Sequence, residues 1–225
     1  MEHLSRQFIE FALQAGVLKF GDFTMKSGRR SPYFFNAGLF SRGSTFGRLA
    51  RFYAQALLAA RAAGRVEFDM LFGPAYKGIT LAAGTAMALA DLGVDVPFAF
   101  NRKEAKDHGE GGVIVGSPLA GRVLIVDDVI TDGAAKRESV ELIRAQGAVP
   151  SGVLIALDRC ERTGADGALS PLSAVAAFEQ AFGIPVIAVA RLDDLLAFID
   201  SDAAAAAPLR PHRPAMLEYR SRYGA

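Results

Sequence analysis

Leu4, Phe8, Phe11, Ala12 and Ala15 recur at helical spacing, and Gly16 is placed to cap them, so the chain opens with an expected amphipathic helix. Over residues 20–36 the period changes. Phe23 and Met25 alternate with polar residues, Ser27-Gly28-Arg29-Arg30 has turn chemistry, and Tyr33-Phe34-Phe35 resumes an extended pattern. This predicts a β-hairpin with Lys26 at its turn. Phe46, Leu49, Ala50, Tyr53, Leu57 and Ala60 restore the helical interval across 45–63. Short apolar runs at 68–72, 96–101, 113–115, 123–126, 153–157 and 185–189 then read as strands, with helices expected at 80–92, 134–145, 172–182 and 192–199. An alanine run at 203–207 and Pro208, Pro211 and Pro214 mark a linker over 203–214, before a last helix within 215–225.

Strands alternating with helices imply an α/β fold with a mostly parallel twisted sheet flanked by helices. Ligand is then expected at the carboxyl ends of the strands, where the loops around 74, 102 and 127 converge. A chain of 225 residues, 51% hydrophobic, is long enough for one such domain over 1–225. The formal net charge of +1 gives no general attraction to nucleic acid or membrane, so any anion site must arise from local clustering. The longest apolar runs fall short of a membrane span, Met1-Glu2-His3 lacks a signal-peptide character, and the single Cys160 excludes an internal disulfide. These point to a cytoplasmic protein. No internal repeat is evident.

The chemistry concentrates in Val123-Leu124-Ile125-Val126-Asp127-Asp128-Val129-Ile130-Thr131-Asp132-Gly133-Ala134-Ala135. A buried strand ends in two adjacent carboxylates, and a glycine loop opens into a helix. Two ionised acids there repel each other and lose hydration, so ligand hydroxyls or a cation must compensate them. The loop offers free N–H groups at a helix N-terminus, which favours a phosphate. A diol and a phosphate on one molecule describe ribose 5-phosphate. A second strand-loop-helix carries Gly73, Tyr76, Lys77 and Gly78. No Lys-Ser or Lys-Thr follows Gly78, so the P-loop pattern is not met, yet glycine-flanked amides can still grip a diphosphate. The stretch from Arg102 to Gly112, with Lys103, Lys106, His108 and glycines at 109, 111 and 112, has the composition of a mobile lid. Arg159 follows a strand end, and a planar guanidinium suits a carboxylate. Cys160 has no His and acid pattern around it.

The strand, acid pair and Thr-x-Gly loop resemble the phosphoribosyltransferase signature. Met25-Lys26-Ser27-Gly28, Pro32-Tyr33-Phe34-Phe35-Asn36 and Arg102-Lys103-x-x-Lys106-x-His108-Gly109 resemble the orotate phosphoribosyltransferases in particular. The resemblance implies a type I phosphoribosyltransferase fold with a small hood from about 1–40 plus parts of 158–200. It implies that Asp127 and Asp128 hold the ribose 2- and 3-hydroxyls of phosphoribosyl pyrophosphate, while Val129, Ile130, Thr131, Asp132, Gly133, Ala134 and Ala135 form its 5-phosphate loop. Lys26 would reach the same substrate, and Tyr76 and Lys77 its diphosphate. Phe34, Phe35, Thr131 and Arg159 would meet orotate, with Arg159 on the carboxylate. Arg102, Lys106 and His108 would enter the neighbouring subunit's site in a homodimer, while Lys103 serves its own. Catalysis would rest on Lys106, Asp128 and Arg102, with magnesium carried by the substrate and no direct protein ligand.

The implied reaction moves ribose 5-phosphate from phosphoribosyl pyrophosphate to orotate, giving orotidine 5-phosphate and pyrophosphate in pyrimidine biosynthesis. The loop departs from the usual Ala-Gly-Thr-Ala after Thr131, having Asp132-Gly133-Ala134-Ala135. One hydroxyl donor is lost and one acid gained, so a poorer affinity is expected unless Lys136 turns inward to offset Asp132. Two alternatives stay open: a phosphoribosyltransferase for another base, and a noncatalytic regulator that binds the sugar phosphate. The second would normally carry an added DNA-binding element, and neither terminus has the pattern of a helix-turn-helix.

Overall fold

The computed structural model describes residues 2–25, 28–106, 112–131, 133–164 and 167–225, without the side chains of Glu2, Ala105 and Lys106. Eight strands are present among them: β1 (Leu18–Thr24), β2 (Arg30–Phe35), β3 (Met70–Gly73), β4 (Phe98–Lys106), β5 (Gly112–Gly116), β6 (Arg122–Val126), β7 (Val149–Asp158) and β8 (Val186–Arg191). The helices are α1 (Glu2–Gln14), α2 (Gly43–Ala62), α3 (Lys77–Asp91), α4 (Ala134–Ala145), α5 (Ala174–Phe182), α6 (Leu192–Ile199) and α7 (Arg213–Tyr223).

The main sheet has the order β5-β4-β3-β6-β7-β8, parallel except for the antiparallel edge strand β5. Alternate residues of its central strands supply two cores, as the period of two requires. Leu71, Leu124 and Leu154 join the core of α1, α2, α3 and α6. Met70, Phe72, Val123, Ile125, Val153 and Ile155 join Val140 and Ile143 of α4 and Val175 and Phe178 of α5. Burial on both faces explains why these strands read as unbroken apolar runs.

The strand order also positions the site. From β3 the chain crosses through α3 to β4 on one side, whereas β6 pairs with β3 on the other and leads through α4 to β7. The chain therefore reverses direction across the sheet between β3 and β6. Loops leaving their carboxyl ends diverge and open a crevice.

Four expectations change. Strand β4 continues to Lys106 and Lys106 pairs with Gly112, so Arg102 to Lys106 lies in a strand rather than in the loop; the expected lid tip, with His108, falls outside the described residues. Antiparallel pairing with β5 satisfies backbone groups that a loop would leave to solvent. Residues 203–214 are not an extended linker. Ala204–His212 winds into 3-10 turns with Ala206 fully buried, because small alanines fit close against the core and Pro208 and Pro211 lack the N–H an α-helix needs. The last helix consequently begins at Arg213.

Grouped with the hood by sequence, α1 instead packs on β8 and α6, because Phe8, Ile9, Phe11 and Ala12 form an apolar stripe that the sheet covers. The β1–β2 hairpin alone forms a separate two-stranded sheet, pairing Leu18 with Phe35 and Thr24 with Arg30; Lys26 and Ser27 at its turn are outside the described residues. Of 158–200, it is residues 159–164 that touch this hairpin, while β8 and α6 belong to the main domain.

Candidate active site

Asp127 and Asp128 leave the end of β6 at the reversal point, each only 7% exposed. Backbone geometry fixes both. Asp127 N–H donates to Leu154 O at 3.0 Å, and Tyr53 Oη donates to Asp127 O at 2.9 Å. The N–H groups of Asp128 and Val129 donate to Oδ1 of Asp127 and Asp128 respectively, both at 2.9 Å.

The remaining carboxylate oxygens are compensated by lysines. Lys136 Nζ is bonded to Asp127 Oδ2 and donates to Val129 O at 2.7 Å, while Lys77 Nζ meets Asp128 Oδ2 at 2.6 Å. Burial pushes the Asp127 carboxyl up, against the pull of Lys136. Lys136 is itself 6% exposed. Sequence placed it only as an offset to Asp132, and among the described residues its carboxylate partner is Asp127. A signal existed: a cation in the first turn of a helix opposes the dipole and calls for an anion nearby.

Lys77, Asp128, Val129, Thr131, Gly133, Ala134, Ala135 and Lys136 line one cavity of about 240 Å³. Gly133 caps α4 with φ 73°, a left-handed conformation that a glycine adopts without a Cβ clash. The first turn of α4 thus follows a short loop after the acids. Ile130, 6% exposed, is a core side chain and can serve the loop only through its backbone. Asp132 lies outside the described residues.

Across the crevice, Ala75 N–H donates to Asn101 Oδ1 at 2.9 Å, which ties the loop after β3 to β4. Close packing dictates two glycines here. A Cβ on Gly78 would stand 2.5 Å from Pro74 Cδ and 2.8 Å from Val126 O, and one on Gly73 would run into the backbone of Gly78. Tyr76 is 69% exposed, and Lys103 Nζ lies 5.0 Å from the centre of its ring. Arg102 Nη1 is buried without a hydrogen-bond partner among the described residues. The side chain of Lys106 is not among those described.

A second cluster gathers at the end of β7, apart from the residues lining the cavity. Arg159 Nε donates to Glu161 Oε1 at 2.9 Å and to Tyr33 Oη at 3.2 Å, and Arg159 Nη2 stands 2.7 Å from the same Oε1. Tyr33 and Tyr219 donate to that oxygen at 3.2 and 3.0 Å. Burial alone would lower the Arg159 pKa, but Tyr33 and Glu161 hold it up. Burial and Glu161 push the Tyr219 phenol up to about 12, so it stays a donor at neutral pH. Phe34 stacks on Phe23, while Phe35 turns the other way toward Phe8 and the core. Adjacent strand residues face opposite sides, so the Phe-Phe pair does not present two rings to one ligand. Glu161, Tyr33 and Tyr219 were not singled out from sequence. Nothing in the order of residues brings position 219 to 159.

The phosphoribosyl transferase domain family matches residues 44–172. An orotate phosphoribosyltransferase of Herminiimonas arsenicoxydans is 59% identical over 224 residues, covering 100% of this chain and 99% of that protein. One from Bordetella petrii is 61% identical over 224 residues, with 98% and 96% covered. The crystal structure of the Francisella tularensis orotate phosphoribosyltransferase superposes with a TM-score of 0.83 at 41% identity, covering 97% of this chain and 100% of that one. At this identity over the whole chain, the chain belongs to the orotate phosphoribosyltransferase family.

Proposed function

We propose that the crevice transfers ribose 5-phosphate from phosphoribosyl pyrophosphate to a ring nitrogen of orotate. The observation that carries the reading is the cavity where Asp128 and the amide-bearing turn into α4 adjoin. Asp128 accepts from the ribose hydroxyls, with Asp127 fixed beside it. The N–H groups at the start of α4 and the hydroxyl of Thr131 receive the 5-phosphate. Lys77, at the first turn of α3, faces the diphosphate from the other wall. Lys103, held beside Tyr76, serves the same subunit.

Displacement at the anomeric carbon passes through an oxocarbenium-like state while negative charge builds on the leaving diphosphate. The protein therefore acts by positioning and by cations placed where that charge develops, with no protein nucleophile required. Arg102 and Lys106, carried toward the tip of the β4–β5 hairpin, are the cations for this step, together with His108.

Magnesium fits this chain as a passenger on the substrate. Each acid already has an ammonium partner, so the pair offers a cation only hydroxyl- or water-mediated contact, chiefly through Asp128. When bound, the ion neutralises diphosphate charge. Arg159 takes the orotate carboxylate, and Phe34 and Phe35 border the base, Phe35 through its backbone. We read the active form as a homodimer, in which Arg102, Lys106 and His108 complete the neighbour's site. The exposed Met87 and an apolar hollow between α2 and α3, lined by Phe46, Ala50 and Ala83, support a partnered face. We read the protein as cytoplasmic. No helix of the described residues is long and apolar enough to cross a membrane.

Absorbance measured at the orotate band tests the reaction. Orotate should be consumed on adding phosphoribosyl pyrophosphate and magnesium, and adenine or uracil should not. Consumption of another base with orotate untouched would overturn the assignment. Mixing a chain defective in Arg102 and Lys106 with one defective in Asp128 should restore one working site per dimer; no recovery would argue against sharing.

A further inference from the structure

Glu161 Oε1 collects Arg159, Tyr33 and Tyr219 at one point, and the three donors come from three separate parts of the fold. Arg159 directly follows β7, Tyr33 stands in β2 of the hood, and Tyr219 lies on α7. Tyr33 is completely buried and Tyr219 is 5% exposed, and their rings meet edge to face with centres 6.2 Å apart. Arg159 lies 5.1 Å from the centre of the Tyr33 ring.

Helix α7 is registered on this spot by backbone bonds as well. Arg162 N–H donates to Tyr223 O at 2.8 Å, Ala225 N–H donates to Cys160 O at 3.0 Å, and Arg162 Nη2 donates to Arg222 O at 2.9 Å. The hood is tied in by Arg29, which donates to Arg162 O at 3.0 Å and covers the Tyr223 ring at 4.6 Å.

A guanidinium has two edges that can grip a carboxylate. Glu161 takes the Nε side of Arg159. Nη2, on the same side, is ion-paired to that oxygen at 2.7 Å but makes no hydrogen bond among the described residues. A buried unsatisfied donor costs free energy that an incoming planar carboxylate can recover.

We infer that Tyr219 and Glu161 are positioning residues for substrate recognition: they hold the Nε side of Arg159 so that its guanidinium is oriented toward the carboxylate of the pyrimidine, which makes α7 part of the specificity apparatus. This rests on the reading of Arg159 as the carboxylate partner. A simple brace would stabilise the fold alike for every substrate. A positioning role weakens only ligands that carry the carboxylate.

The test uses the full chain with Tyr219→Phe, Glu161→Gln and Arg159→Ala. Tyr219→Phe, which keeps the ring, should raise KM for orotate roughly three- to tenfold with KM for phosphoribosyl pyrophosphate unchanged. Inhibition by uracil, which lacks the carboxylate, should not move. In the Arg159→Ala background Tyr219→Phe should add nothing. Equal losses for orotate and uracil, or for both substrates, would reduce the cluster to a brace. If Arg159→Ala itself leaves KM for orotate unchanged, the carboxylate reading fails first. If Arg159→Ala raises it and neither Tyr219→Phe nor Glu161→Gln does, only the positioning role fails. Should Glu161→Gln fold poorly, Tyr219→Phe alone decides.

Discussion

Lys136 shares its ammonium between the carboxylate of Asp127 and the carbonyl of Val129, 2.7 Å away, so the helix that borders the cavity is bolted to the strand that carries the acids. An ammonium has three protons, and these two contacts take two of them. Lys136 also lines the cavity.

Removing one partner of this pair should be costly. Lys136→Met keeps the volume but leaves Asp127 buried and uncompensated, at an expected loss of about 3–5 kcal/mol in stability. Asp127→Asn on top of Lys136→Met should return part of it. Urea unfolding of the single and double variants measures both, and strictly additive losses would show that the two side chains do not act as a pair.

The acid gained in the phosphate loop gives a second expectation. Asp132→Ala should tighten phosphoribosyl pyrophosphate, because like charge beside a phosphate site opposes binding. Titration with the substrate should show a lower Kd, and an unchanged or higher one would mean that residue 132 does not feel the phosphate.

Gly78 is held by packing rather than by backbone freedom. A methyl there meets Pro74 Cδ at 2.5 Å and Val126 O at 2.8 Å, so Gly78→Ala must push the loop after β3 away from β6. A stability loss of about 1–3 kcal/mol is expected for such overpacking, with KM for phosphoribosyl pyrophosphate raised more than KM for orotate. Steady-state kinetics with each substrate varied in turn will separate the two.

Cys160 should be a poor nucleophile. Burial, with Asp158 beside it, pushes its thiol up to about 11, so the thiolate fraction near pH 8 is on the order of one in a thousand. Alkylation of the native chain should be slow at that pH and accelerate toward pH 11. A rate at pH 8 matching that of free glutathione would contradict the burial seen here.

Much of this molecule was written locally. Unbroken apolar runs such as Val123 to Val126 announce strands buried on both faces, the change of period at residues 20–36 announces the hairpin, and Asp127-Asp128 with Gly133 announces the acid pair and glycine turn ahead of α4, since each depends on neighbours within a few residues. The order of the sheet, and hence the reversal between β3 and β6 that opens the crevice, depends on which strands pair across the chain. The same holds for partners. The cation in the first turn of α4 calls for an anion without saying that it is Asp127, and nothing in the sequence says that Tyr219 reaches Glu161 across 58 positions. Such contacts form only when separate elements are packed together, where the cost of burying a charge or a donor selects the group that satisfies it.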